Sequence, residues 1–147
     1  MAYEIKSFPY SGTIDADGHV LEPPDLWENY LESKYKSRAL RIKIDEEGYE
    51  YLEIDGCPSK CSDKGSLGML GAMGQDNMRP HKDRRYADNF PYGASDPEQR
   101  LNLLDQENLE KSLLYPTLGL LWECELKDAE LSLAYARAYN RWIADFC

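Results

Sequence analysis

The order of its regular segments is what most constrains this chain. Asp96-Pro97-Glu98 opens a helix: Asp96 can cap it, Pro97 suits the first helical position, and Leu101, Leu104, Asp105 and Asn108 continue the period. Ser112 to Tyr115 follows as an apolar run halted by Pro116, which predicts a short buried strand. Lys127 to about Phe146 then predicts a long amphipathic helix, with Leu131, Leu133, Ala134, Ala138, Trp142 and Ile143 apolar. Near the start, Thr13 to Asp17 is a β-type run ending in Gly18-His19, and Pro24-Asp25-Leu26-Trp27 reads as a helix start running to about Leu31. Strands alternating with helices in this way predict an α/β fold with a parallel sheet.

An insertion interrupts that order. Ala39 to Ile44 and Tyr49 to Ile54 both alternate, and the loop between them contains Gly48, which predicts a β-hairpin over 38–56. Tyr49, Tyr51 and Glu53 are expected on one face, Leu52 and Ile54 on the other. A loop-rich insertion over 57–95 follows. Its first part, Cys57 to Gln75, is rich in Gly and Ser with room for one helical turn. Its second, Asn77 to Phe90, is highly charged and contains His81, Arg84 and Arg85. We read 1–147 as one unit carrying these two insertions.

Composition removes some classes of function. Eleven Tyr and three Trp among 147 residues, with 42% hydrophobic residues, predict a packed core rather than disorder. A formal net charge of −10 argues against binding to nucleic-acid backbones or anionic membrane surfaces. No run approaches the roughly 18 apolar residues of a membrane span, and Met1 to Tyr10 does not read as a signal peptide, so a cytoplasmic location is expected. Cys57 and Cys61 form one close pair where a structural zinc site usually needs two, so reduced thiols in a loop are favoured over a small zinc module.

The chemistry concentrates in Asp15-Ala16-Asp17-Gly18-His19-Val20-Leu21-Glu22. Residues two apart on a strand face the same way, so Asp15, Asp17 and His19 are expected on one face at the strand's C-terminal end. A carboxylate and an imidazole so spaced can grip one divalent ion. The same pattern also fits a polar strand end at the surface, with His19 bonded to a neighbouring backbone group.

The segment from Asp15 to Trp27 resembles the opening of the amidohydrolase-2 branch of the metal-dependent hydrolases, which includes aminocarboxymuconate-semialdehyde decarboxylase-like enzymes. Arg100 to Asp105, Leu113 to Leu120 and Ala138 to Cys147 continue the likeness in the same order. The resemblance implies the N-terminal part of a (β/α)8 TIM barrel with its metal at the C-terminal mouth. Where many members carry His-x-His, this chain has Asp17-x-His19, a pair suited to Zn, Mn or Fe. Glu22 is expected either as a further ligand or as a group orienting His19. Tyr115 and Thr117, at the predicted end of the second strand, are candidate substrate contacts, balanced against a core position for Tyr115 and a turn cap for Thr117. His81 and Arg84 are candidates to clamp a carboxylate on a small-molecule substrate, balanced against a solvated charged loop.

Two barrel strands cannot close a barrel that needs eight. The remaining strands are therefore expected from a second polypeptide or a missing segment. The expected activity is that of a metal-dependent hydrolase or a carbon–carbon lyase such as a decarboxylase. The alternative is a non-catalytic structural or regulatory subunit that completes a partner's barrel.

Overall fold

The computed structural model describes residues 5–72 and 78–147, and the side chain of residue 89 is not described. Met73, Gln75 and Asn77, which the sequence places in the loop-rich insertion, lie outside the described residues. Strand β1 (Thr13–His19) leads into a one-and-a-half-turn helix α1 (Leu26–Tyr30), which starts after Asp25 rather than at Pro24. A 3₁₀ segment over Ser33–Arg38 carries the chain into β2 (Arg41–Ile44) and β3 (Glu50–Ile54), and a short β4 (Cys57–Pro58) follows. Helix α2 (Pro97–Glu107), strand β5 (Leu109–Tyr115) and helix α3 (Ala129–Phe146) complete the order.

The strands form two sheets: β1 pairs β5 in parallel, and β2, β3 and β4 make a separate antiparallel sheet. The parallel pair is the arrangement predicted from alternating strands and helices. The hairpin is also as expected, but it gains a third strand. Asp55 and Gly56 form its turn with φ of 52° and 74°, the left-handed pair that a tight hairpin turn requires and that Asp-Gly supplies at least cost. Cys57 consequently lies on a strand.

Local chemistry explains both long helices. The Asp96 carboxylate accepts the Gln99 N–H at 2.8 Å with Pro97 in the first turn, and α2 stops at Asn108 in the left-handed conformation, φ 58°. Asp128 caps α3 by accepting from Glu130 and Leu131. Its apolar stripe (Leu131, Ala134, Tyr135, Ala138, Trp142, Phe146) is buried against α1 and its surroundings. Leu26 and Trp27 are wholly buried there, with the Trp27 and Tyr135 rings 6.1 Å apart. Arg38 ties this layer to the hairpin: its guanidinium bridges Asp55 at 2.6 Å and Asp128 at 2.8 Å.

Strand β5 corrects one expectation. It was predicted to be buried, yet Leu113 is 56% and Tyr115 44% exposed, and on β1 Ile14 is 53% exposed. The apolar character of the run is real. Among the described residues, each strand of this pair is bonded to the other alone, so the faces that further strands or helices would cover stay open.

Candidate functional site

Because β1 and β5 run parallel, their C-terminal ends lie side by side, with His19 in register with Tyr115 and the two rings 6.1 Å apart. The register between the strands slips between Asp15 and Gly18: Asp15 pairs with Ser112, but Gly18 pairs with Leu114. This β-bulge overturns the expected common face of Asp15, Asp17 and His19, because one extra residue resets the alternation. The Asp15 carboxylate turns to accept from Ser112 Oγ at 2.8 Å and from its own chain at the Asp17 N–H at 3.0 Å. Gly18 is buried on that side, where a Cβ would stand 2.2 Å from Ser112 Oγ and 2.7 Å from Asp15 Oδ2. Asp17 and His19 are the exposed residues on either side of it.

His19 is held from two directions. Its Nδ1 stands 3.2 Å from Thr117 Oγ1, and its carbonyl oxygen accepts from Arg100 at 2.5 Å. With Nδ1 so engaged, Nε2 is the ring nitrogen left for a ligand. Burial draws the half-buried Arg100 guanidinium below its ordinary pKa, partly offset by Asp15 and Glu107. Thr117 thus touches the imidazole, and Tyr115 lies beside it, exposed rather than in the core.

Glu22 is not placed as a free ligand; its link to His19 runs through the Thr117 loop. It is wholly buried, and its two carboxylate oxygens accept from three successive backbone N–H groups, those of Thr117 at 3.0 Å, Leu118 at 2.9 Å and Gly119 at 2.9 Å. Tyr86 Oη donates to its carbonyl oxygen at 2.9 Å. Burial pushes the Glu22 carboxyl above its usual range, while the N–H groups of Gly119, Leu118 and Thr117 pull it back. Glu22 therefore reaches His19 only by fixing the loop that carries Thr117. A Cβ on Gly119 would come 2.7 Å from Pro116 and 3.1 Å from Glu22 Oε1, so the cradle needs glycine there. The Pro116-to-Gly119 stretch was the sequence's hint of this loop, but nothing in it names Glu22 as the anchor.

His81 and Arg84 sit elsewhere, along an open cleft of about 300 Å³ with Arg79 and Asp83. His81 Nδ1 accepts the Asp83 N–H at 3.1 Å, and its backbone N–H bonds to Gly65. The segment after it packs on the hairpin through Tyr86, whose N–H donates to Glu50 at 2.7 Å. Cys57 and Cys61 do not form a pair: the sulfur beside Cys61 is that of Cys124.

The chain aligns with the crystal structure of an amidohydrolase from Mycobacterium avium subsp. paratuberculosis K-10 at a TM-score of 0.66 and 23% identity, over 95% of this chain and 39% of that one. The chain has the fold of part of an amidohydrolase. It spans well under half the length of that enzyme, and no closed barrel is present among the described residues. No family model and no curated protein matches the chain. Among the described residues no helix is long and apolar enough to cross a membrane. An amidohydrolase fold raises the question of a metal. Asp17 and His19 offer one oxygen and one nitrogen donor of suitable type, whereas no cluster of three or more candidate ligands exists among the described residues. Two donors of this type are fewer than a divalent ion needs, so any such site would require further ligands.

Proposed function

We propose that this chain is the front part of a metal-dependent amidohydrolase-type barrel of the amidohydrolase-2 branch. In this reading Asp17 and His19 supply the first-strand ligands for a divalent ion (Zn, Mn or Fe), and further barrel strands, on a second polypeptide or a further segment, supply the rest. The observation that carries it is the position of these two donors at the C-terminal end of β1 beside the C-terminal end of β5. In a parallel barrel that edge forms the mouth where chemistry takes place.

Each neighbouring group then has a task. Thr117 fixes the imidazole through Nδ1, leaving Nε2 for the ion. Glu22 holds Thr117 in place, and Tyr115 offers an exposed ring beside the site to a small-molecule substrate. The bound ion would polarise a substrate oxygen or activate water, which serves hydrolysis and decarboxylation alike. His81 and Arg84 remain proposed contacts for a substrate carboxylate only if the completed assembly brings their cleft to the same mouth.

Metal analysis of the assembled protein tests the reading. The Asp17→Ala, His19→Ala double variant should lose its divalent ion while keeping its secondary structure. Undiminished metal content in that variant would refute the ligand assignment and favour the non-catalytic subunit instead.

A further inference from the structure

Two cysteines separated by 63 positions in sequence meet at the surface: Cys61 Sγ and Cys124 Sγ are 3.0 Å apart. Both residues are exposed. Their approach is built by the residues beside them. The Glu125 carboxylate accepts from Ser59 Oγ at 2.5 Å and from the backbone N–H groups of Lys60 at 2.9 Å and Cys61 at 3.2 Å. Ser59 Oγ in turn accepts from the N–H groups of Cys61 and Ser62, each at 3.2 Å. The Cys124-Glu125 dipeptide is therefore docked onto the Ser59-to-Ser62 turn by the Glu125 carboxylate, the Ser59 hydroxyl and the turn's backbone N–H groups. The sulfurs need close by only about 1 Å to reach bonding distance.

A metal explains the pair less well. Glu125, the acidic group beside it, is already committed to the turn, and no third ligand joins the two sulfurs among the described residues.

We propose that Cys61 and Cys124 are a disulfide-forming pair, which under oxidation by a low-molecular-weight disulfide clamps the insertion after β4 to the loop between β5 and α3. With glutathione disulfide as oxidant, the Cys124 thiolate attacks one of its sulfurs and a glutathione thiolate leaves. Cys61 then gives up its proton to water and attacks the Cys124 sulfur, forming the internal bond and expelling the second glutathione thiolate. Two protein thiols are oxidised and one glutathione disulfide is reduced to two thiols. Either cysteine can make the first attack, since the two sulfurs share a single hydrogen-bonding contact.

The test uses the reduced full chain, equilibrated with a glutathione redox buffer, alkylated and digested without reduction for mass spectrometry. The expected result is a loss of two of the four thiols without any link between chains, and one cross-linked peptide joining Cys61 to Cys124. Cys57→Ser should retain that link, and Cys61→Ser and Cys124→Ser should each abolish it. The oxidised protein should melt roughly 5 °C or more above the reduced one, since the bond closes a long loop. Persistence of all four thiols under oxidising buffer, links made through Cys57 or Cys147, or an unchanged melting midpoint would overturn the proposal.

Discussion

The Glu22 carboxylate holds the backbone N–H of Gly119 at 2.9 Å, and those of Thr117 and Leu118 alongside it. A buried acid thereby sets the position of the loop that touches His19. Replacing it with Gln turns an amide N–H₂ towards donors that need an acceptor, so Glu22→Gln should destabilise the chain by about 1–3 kcal/mol in urea unfolding.

The same residue predicts a pH dependence. Its carboxyl is held above its ordinary value chiefly by burial. A raised pKa means that the folded state keeps the proton longer than the unfolded state. The associated stability is fully present below the unfolded value and is lost as pH rises through the folded value. Relative to Glu22→Gln, the wild type should therefore lose stability as pH rises upward from about 4–5. A difference that instead widens in favour of the wild type over that interval would contradict the assignment.

Gly18 is required by the bulge. Gly18→Ala puts a methyl against Ser112 Oγ and Asp15 Oδ2 and should cost about 1–3 kcal/mol. Ser112→Ala removes the nearest obstacle but leaves Asp15 and the Leu113 carbonyl, so the double variant should recover part of the loss. Strict additivity in a double-mutant cycle would show that the contact is relieved some other way.

Thr117→Val keeps the shape of the side chain and removes the oxygen that faces His19 Nδ1. If His19 is a metal ligand, affinity for the ion in the assembled protein should fall on the order of 10–100-fold with little change in melting temperature. Unaltered affinity would assign the Thr117 contact to folding alone.

Trp27 and Leu113 should respond in opposite ways. Trp27→Ala empties a wholly buried position between α1 and α3 and should cost about 3–5 kcal/mol. Leu113→Ser on the open face should change the stability of this chain by no more than about 0.5 kcal/mol. In an assembly that covers β5, the same change should cost more than about 2 kcal/mol. Equal, small effects in both states would argue against a barrel closing over that strand.

Features governed by neighbours in sequence were readable in advance. Asp96-Pro97 started α2 as expected, and the alternating runs around Gly48 paired as a hairpin, because caps and turns are local chemistry. The Asp55-Gly56 turn carries its own signal, but the two-residue β4 that follows is too short to show a strand's alternation. The site was less legible. Asp17 and His19 stood out by residue type, but the bulge that separates Asp15 from them depends on Ser112 across the sheet. Glu22 finds its partners about 95 positions away, and Cys61 meets a sulfur on another loop. Such contacts follow from topology, which periodicity along one segment does not reveal.

Among the described residues, this parallel pair has one bonded side per strand, leaving two free rims of main-chain donors and acceptors, with Ile14 and Leu113 exposed on its faces. With those rims uncovered, the chain carries a template for self-stacking. Such a sheet should associate in a concentration-dependent way when it is left uncovered.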